Sequence, residues 1–393
     1  MKISLSILVL AEILAMSLWF VASAIIPEFR AQATLTAFQE GMLSSSVQLG
    51  FVVGALSLAM HGTADRYDPR YVFALGALLA AIANAILIIS PIGSAVQIFL
   101  RFFTGVCMAS IYPVGMKIAV GWTEKQRGLV VGILVGALTL GSALPHGITL
   151  IGGMAWEHVV LIASGCALLS SGLILMVGLG PYHEKAQKFH VGFLALAWRQ
   201  MDIRLAYIGY LGHMWELYAF WAWIGLAMTT ALNYAFLPHA EDLARFFTFL
   251  AIALGAISCI LAGFLADKWG KEVVAGWSLL LSGTFALITA ITFASMPLLS
   301  VFFAVIWGVF VIPDSAQFSA LVADAAPRQA TGSLLTLQTA LGFLLTSFTV
   351  QVTPMFADLW GWPAVLSLLA LGPMIGVWAM HKLHLRHKQQ MTH

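Results

Sequence analysis

The sequence predicts an all-α integral membrane protein with twelve transmembrane helices, and two observations lead to this fold class. Of the 393 residues, 61% are hydrophobic and only 9% are charged, whereas a soluble globular domain carries about 25% charged residues. Apolar stretches of roughly 20 residues, the length that a helix needs to cross a bilayer, recur along the whole chain. Because these stretches are rich in Leu, Ala and Gly and lack strand-like alternation, they predict helices and not a barrel.

The apolar stretches fall into two sets of six, separated by the longest polar stretch. We therefore predict a six-helix bundle over 1–180, a cytoplasmic linker over 181–202, a second six-helix bundle over 203–381 and a cytoplasmic tail over 382–393. The predicted spans are 3–26, 42–61, 72–93, 95–119, 128–151, 158–180, 203–228, 245–266, 273–295, 298–323, 332–355 and 361–381.

Basic residues predict the orientation of the chain. If the N-terminus is cytoplasmic, 16 of the 19 Lys and Arg residues lie on the cytoplasmic side, as the positive-inside rule requires. Arg30 and Arg245 fall outside, and Arg101 falls within a span. Both termini are therefore expected in the cytoplasm, and the expected location is the inner (plasma) membrane, which the chain crosses many times.

An internal repeat relates the two halves. A shift of about 201 residues superimposes several landmarks: Asp65 on Asp267, Trp19 on Trp221, Pro113 on Pro313 and Gly141 on Gly342. Several landmarks at one offset, each in the corresponding helix or loop, are typical of duplicated six-helix halves related by an axis along the membrane normal.

Two loops, one in each half, carry nearly the same motif. The second loop, Gly263 to Lys271, reads Gly-Phe-Leu-Ala-Asp-Lys-Trp-Gly-Lys. The first loop, aligned on Asp65, departs from this motif at His61, Thr63 and Asp68. With these loops the sequence resembles the major facilitator superfamily over its whole length. The resemblance implies twelve helices in two pseudo-symmetric bundles, and it implies a gating role for four loop residues, which are Asp65, Arg66, Asp267 and Lys268. The alternative is that these four are only turn residues on the positive side of the membrane.

The fourth predicted helix also resembles the family, since it carries Arg101-x-x-x-Gly105-x-x-x-Ala109. The two small residues are spaced so that another helix can approach closely. The resemblance implies a proton-transfer or coupling role for Arg101, and a static partner of a carboxylate is the alternative. The fifth helix carries Gly132-x-x-x-Gly136 but lacks the Gly-Pro pair of the antiporter motif, so the direction of transport stays open.

Four ionisable residues fall deep inside predicted spans, and each would cost about 2.5 to 3.5 kcal/mol at a helix centre. They are Glu12, Arg101, Glu216 and Asp314. We expect them to face a water-filled cavity or one another. Glu12 and Glu216 lie near mid-membrane at nearly equivalent positions of the repeat, where a carboxyl could anchor a substrate or exchange a proton. A structural hydrogen-bonding role is the alternative for both.

Aromatic and histidine side chains accompany these acids. Trp19 shares a helical face with Glu12, and His213 and Trp223 share one with Glu216. Their rings offer apolar or cation-attracting surfaces, although a packed, hydrogen-bonded histidine is an equally simple explanation. The complete predicted set of substrate-binding or proton-coupling residues is Glu12, Trp19, Arg101, His146, His213, Glu216, Trp223 and Asp314.

These observations predict a secondary active transporter that moves a small polar or amphiphilic solute by alternating access, coupled to protons. No Gly-x-x-x-x-Gly-Lys-Ser/Thr loop is present, so the chain shows no sign of an ATPase. A proton-independent facilitator and a proton-driven exporter of a drug, siderophore or metabolite are the alternatives. The spacing His213-x-x-Glu216 leaves an intramembrane metal enzyme as a remote alternative. We expect no enzyme activity, cofactor, metal or nucleic-acid partner; the expected partners of this monomer are its solute, protons and the lipid bilayer.

Overall fold

The computed structural model describes residues 2–123, 127–151, 155–183 and 189–391, and all regular secondary structure in these ranges is helical. The α-helices are Lys2–Met16, Val21–Gln32, Ala37–His61, Thr63–Arg66, Pro69–Ala85, Ala95–Met108, Tyr112–Val120, Arg127–Ile148, Trp156–Leu173, Leu196–Arg199, Met201–Tyr234, Ala240–Trp269, Lys271–Thr292, Pro297–Phe310, Ser315–Ala325, Thr331–Trp360, Trp362–Leu369 and Leu371–Met391. Short 3₁₀ helices cover Ile86–Ile89, Ile174–Met176 and Val191–Phe193.

Eleven stretches of the described residues are long and apolar enough to cross a bilayer. The helix Met201–Tyr234 is not among them, because its aromatic and polar residues lower its hydropathy. It is continuous over 34 residues and therefore about 51 Å long, and we count it as the seventh of twelve spans. In chain order, spans 1 to 12 are Lys2–Gln32, Ala37–His61, Pro69–Ile89, Ala95–Val120, Gly128–Ile148, Trp156–Met176, Met201–Tyr234, Ala240–Trp269, Lys271–Thr292, Pro297–Ala325, Thr331–Trp360 and Trp362–Gln390.

The predicted all-α class is confirmed, but several spans are longer than predicted. Span 2, for example, begins at Ala37 and not at residue 42. Thr36 caps this helix: its side chain accepts a hydrogen bond from the backbone N–H of Gln39, and the Gln39 side chain accepts one from the backbone N–H of Thr36. Capping of this kind starts a helix in polar sequence. The extra turns at the start of span 2 are therefore not part of the apolar stretch from which the span was predicted.

Breaks interrupt some spans near their middle. Spans 4 and 10 are broken at 109–111 and 311–314, which are equivalent positions of the repeat, just before or at Pro113 and Pro313. Span 1 is broken at 17–20, whereas its repeat equivalent, span 7, is continuous. The repeat therefore holds for spans 4 and 10 and is relaxed for spans 1 and 7.

Small residues set the close helix contacts. In the first half, spans 2 and 4 meet through Gly50 and Gly105: a Cβ at Gly50 would collide with the carbonyl of Phe102, and one at Gly105 with the carbonyl of Val47. The close approach predicted from Gly105 is thus present. Two helix pairs make the most extensive contacts between the halves, span 5 with span 8 and span 2 with span 11.

Candidate functional site

Glu12 places a buried carboxyl group inside the first half. Glu12 is fully buried in the first helix of span 1, and neither oxygen has a hydrogen-bond partner in the described part of the chain. Span 4 leaves room for the carboxyl because residue 115 is Gly115. A Cβ there would collide with Glu12 Oε2 and lie 3.5 Å from the ring of Phe73 in span 3. The acid therefore occupies a slot between spans 1, 3 and 4, where it also interacts electrostatically with Tyr112 of span 4.

Arg101 is engaged with the backbone of span 1. Its Nη1 donates to the carbonyl of Leu18 at 2.9 Å, and its Nη2 donates to the carbonyl of Trp19 at 2.6 Å. Both carbonyls lie at the break of span 1, where the helical hydrogen-bond pattern is interrupted. Nη1 also donates to Asn84 Oδ1 in span 3 at 3.2 Å. The guanidinium thus supplies donors that the broken helix lacks, and it fixes the path of the chain through the break.

Glu216 is surrounded by donors. Ser282 Oγ in span 9 donates to Glu216 Oε1 at 2.6 Å, and Trp307 Nε1 in span 10 donates to Glu216 Oε2 at 3.1 Å. Trp307 Nε1 also lies 3.0 Å from Ser282 Oγ, so the three side chains close a triangle. All three are buried to 99% or more. Glu216 therefore ties span 7 to spans 9 and 10.

A second polar contact joins spans 7 and 10 one turn away. His213 Nδ1 lies 2.9 Å from Asp314 Oδ1, and both side chains are buried. Asp314 interacts electrostatically with Glu216 as well. The structure thus brings His213, Glu216 and Asp314 together, as a cluster inside the second half. Glu12 and Glu216 do not meet, because each faces the interior of its own half.

An aromatic layer closes the interface between the halves. We call the side on which both ends of the twelve-span chain lie the terminal side, and the opposite one the far side. The ring of Trp19 lies 5.2 to 5.6 Å from the rings of Phe51, Tyr218 and Phe343, measured between centroids. Phe20 packs on Tyr218 at 5.9 Å. Since Trp19 and Phe20 belong to the break in span 1, the Arg101 contact also positions this layer.

Polar contacts cross the same interface on the far side. Arg245 at the start of span 8 forms an ion pair with Glu28 near the end of span 1. Ser45 in span 2 donates to the side chain of Gln351 in span 11 at 2.9 Å, and Gln351 Nε2 donates to the carbonyl of Phe38 at 3.1 Å. Together with the aromatic layer, these contacts hold the two halves together on the far side.

His146 and Trp223 lie at this closed end. Both line a crevice between spans 1, 5, 7 and 8, and Arg245 lines it too. His146 is 95% buried, and its Nε2 has no partner among the described residues. Trp223 Nε1, by contrast, donates to the carbonyl of Val350 at 2.9 Å. Of these two predicted site residues, only His146 therefore keeps a free polar atom.

The predicted gating loops lie on the terminal side. The side chain of Asp65 falls outside the described part of the structure; Arg66 ends the short helix that follows Gly62, a left-handed residue. In the second loop, Asp267 and Lys268 are exposed. Asp267 approaches the other half, because a Cβ at Gly128 of span 5 would lie 3.6 Å from Asp267 Oδ1.

Asp267 also borders a polar pocket of about 550 Å³ on the terminal side. The C-terminal helix forms one wall and is tied down by polar contacts. Arg386 Nε donates to Asp202 Oδ1 at 2.7 Å, and His384 Nδ1 lies 3.2 Å from Glu272 Oε1. The tail that the sequence marks only as basic is therefore a helix docked on the starts of spans 7 and 9.

Sequence reasoning missed the partners of the buried charges. Asn84, the partner of Arg101, is a lone amide in an apolar span, and that isolation is a signal that could have singled it out. Its Nδ2 donates to the Val160 carbonyl at 3.2 Å and to Ser164 Oγ at 3.0 Å. Ser282 and Trp307 carry no such signal, since serines and tryptophans are common in these spans.

Comparisons with known proteins address the chain as a whole. A model of the Major Facilitator Superfamily matches residues 8–245. Among solved structures, the chain is similar to the partially occluded inward-open conformation of the xylose transporter XylE from E. coli, with a TM-score of 0.75 and 14% sequence identity over 96% of both chains. At this identity the likeness concerns the fold. No curated protein sequence matches.

Proposed function

This chain belongs to the major facilitator superfamily, a family of membrane transporters and not of enzymes, and we propose that it moves a small polar or amphiphilic solute across the inner membrane by proton-coupled alternating access. The two halves would rock against each other, so that a site between them opens to one side at a time. The far side is held closed by the aromatic layer and by the Arg245–Glu28 pair. Access would then come first from the terminal side.

The unpartnered carboxyl of Glu12 is the observation that carries the proton coupling. Burying a carboxylate without a partner costs several kcal/mol, and such groups become neutral instead. Glu12 is therefore a protonated acid in this conformation. Any movement of span 1 that lets water reach the slot beside Gly115 would let the proton leave. A proton affinity that differs between two conformations is what couples proton movement to a conformational change.

The polar groups inside the spans bear on the class of solute. Arg101, the cation at mid-span, is already engaged by two carbonyls and by Asn84. Two of its three nitrogens are thus engaged, and only Nε stays free for a solute, whereas Glu12, Trp19 and His146 also keep polar atoms that have no partner among the described residues. A neutral, zwitterionic or weakly cationic solute fits these groups best. Export of such a solute, as a drug, siderophore or metabolite, would use the same cycle in the other direction.

The remaining features follow from this proposal. Both termini would be cytoplasmic, with bundles over 1–180 and 203–381 joined by the linker 181–202, and the chain would work as a monomer. The loop residues Asp65, Arg66, Asp267 and Lys268 would gate the cytoplasmic side. The approach of Asp267 to Gly128, across the two halves, supports this role for the second loop.

Transport in proteoliposomes tests the proposal. A thermal-shift screen of metabolites, drugs and siderophores first identifies the solute. We expect solute movement driven by a pH gradient in the wild type and in Glu157→Gln, a matched control on the far side at the start of span 6. Glu12→Gln should lose gradient-driven movement at least tenfold, while solute exchange without a gradient continues. Full gradient-driven transport in Glu12→Gln would refute the role of Glu12, and a wild type indifferent to the gradient would indicate a facilitator.

A further inference from the structure

The two acids related by the repeat differ in their hydrogen bonds. Neither oxygen of Glu12 has a hydrogen-bond partner in the described part of the chain, whereas Glu216 accepts from Ser282 and from Trp307. We propose that Ser282 and Trp307 are positioning residues that set the proton affinity of Glu216, so that the two acids release their protons at different pH. This inference rests on the proposed function in one respect, because it assumes that Glu216 changes its protonation during the cycle.

The geometry of the triangle favours the ionised form of Glu216. Both donors are neutral, and each points at a different carboxyl oxygen. Donors that bond to a carboxylate stabilise the charged form and therefore lower the pH at which the proton leaves. The indole has a single N–H, which is a donor only, so Trp307 cannot accept a proton from the acid in return.

One ionisable group besides the triangle acts on Glu216, and as a second acid it disfavours a charge there. The ionisable group that interacts electrostatically with Glu216 is Asp314 of span 10, which is itself paired with His213 on span 7. The neighbouring spans 8, 9, 11 and 12 contain no charged residue over 246–266, 273–296, 331–357 and 361–380. The second helix of span 1 also meets span 7, and its Glu28 is paired with Arg245 on the far side.

The arrangement links the charge of Glu216 to the shape of span 10. Span 10 supplies Trp307 just before its break and Asp314 at the end of the break. A change in the charge of Glu216 is therefore transmitted to both sides of the bend in span 10. Glu12 would carry the exchanged proton, and Glu216 would control how firmly span 10 is held.

Infrared difference spectroscopy of the protein in liposomes tests the proposal without a substrate. The carbonyl band of protonated Glu216 is assigned by its loss in Glu216→Gln, in a Glu12→Gln background. Its disappearance with rising pH gives the midpoint. We expect Ser282→Ala and Trp307→Phe each to move this midpoint by about one unit to higher pH, because a hydrogen bond to a charged group is worth about 1.5 to 3 kcal/mol and one pH unit about 1.36.

Matched variants separate positioning from general effects. Ser278→Ala, one turn away on span 9, and Trp277→Phe, on the exposed side of the same span, should leave the midpoint unchanged. Ser282→Thr keeps the hydroxyl and should restore it. An unchanged midpoint in both Ser282→Ala and Trp307→Phe, or a shift to lower pH, would overturn the proposal. If neither variant folds, the indole N–H resonances of the wild type are followed by NMR as the pH is changed. A resonance that shifts with the same midpoint as the infrared band supports the proposal, and the absence of such a resonance contradicts it.

The outcomes also separate this proposal from the proposed function. If the midpoints shift as expected but transport ignores a pH gradient, the positioning role stands and proton coupling fails. If transport follows the gradient while the midpoint of Glu216 is the same in all variants, coupling stands and the positioning role fails.

Discussion

Glu12 and Glu216 occupy nearly equivalent depths in the two halves, yet their surroundings are opposite. Glu12 sits in a slot with both oxygens unpartnered, and Glu216 is held by a hydroxyl and an indole. The repeat therefore fixes where an acid lies in the membrane, and the neighbouring helices decide what it can do there. Two copies of one scaffold can in this way hold one unpartnered acid and one hydrogen-bonded acid.

Spans 1 and 7, which bear these two acids, also differ from each other in their backbone. Span 1 is broken and its free carbonyls are bonded by Arg101, whereas span 7 is continuous. The positions of span 10 that correspond to Arg101 are Val301 and Phe302. A continuous helix bonds its own carbonyls and needs no arginine. Span 1 therefore has both a break and an arginine partner, whereas span 7 has neither.

The largest expected effect comes from removing this arginine. Arg101→Met leaves the carbonyls of Leu18 and Trp19 without their donors in a buried site, and breaking such a charged network costs about 3 to 5 kcal/mol. We expect a strong fall in the thermal unfolding temperature of the purified protein. Arg101→Lys, which restores a charge with fewer donors, should recover part of it. A normal unfolding temperature in Arg101→Met would show that the break holds its shape without the guanidinium.

A second prediction compares the effects on stability of replacing each acid by Met. Glu12→Met removes an unpartnered polar group and should stabilise the protein by about 1 to 2 kcal/mol, while Glu216→Met strands the donors Ser282 and Trp307 and should destabilise it by about 1 to 3 kcal/mol. The measurement is the unfolding temperature of each variant against the wild type. If both substitutions change the unfolding temperature in the same direction, the proposed contrast between the surroundings of the two acids is wrong.

The sequence was enough to find the acids but not their partners. Depth can be counted along an apolar span, so Glu12 and Glu216 stand out at mid-membrane. Partnership depends on contacts across the fold: Ser282 is 66 residues from Glu216 and Trp307 is 91. Neither differs in sequence from other serines and tryptophans of the spans, and so neither could be chosen.

The breaks in the spans show the same limit. Pro113 and Pro313 mark the breaks of spans 4 and 10, since proline removes a helical hydrogen bond. The break of span 1 at 17–20 reads Ser-Leu-Trp-Phe and contains neither Pro nor Gly. Arg101 from another span donates to the carbonyls of Leu18 and Trp19, and Ser17 Oγ donates to the carbonyl of Leu14 at 2.6 Å. The arginine contact comes from a distant part of the chain and leaves no local signal, and a single serine is too common in these spans to mark a break.

The two loops that carry the repeated motif also differ in their backbone. Gly270 has φ = +96°, a conformation that favours glycine, whereas Asp68 at the equivalent place has φ = −60°. The first loop thus departs from the motif where its backbone does not require glycine. Gly270→Asp should cost about 1 to 3 kcal/mol through strain, and Asp68→Gly only a few tenths. Unfolding temperatures would show the asymmetry, and similar losses in both variants would contradict it.

The smallest effect is a pH dependence at Asp68. Its carboxylate accepts from the backbone N–H of Arg70 at 2.9 Å and from the Arg70 side chain, and this guanidinium holds the pKa of the carboxyl below its usual range. A lowered folded pKa gives stability that is present above the unfolded value of about 3.9 and is lost as the pH falls through the folded value.

Asp68→Ala should therefore lower the unfolding temperature by the equivalent of about 0.5 to 1 kcal/mol, the usual worth of a helix cap. The gap to the wild type should be constant between about pH 5 and 8 and should close below about pH 4, where the wild-type carboxyl also loses its charge. Asp68→Asn keeps a capping oxygen without the charge, so it should lie between the two at pH 7 and show no such closing. A gap that persists unchanged at pH 3 would mean that the contribution of Asp68 does not depend on its charge.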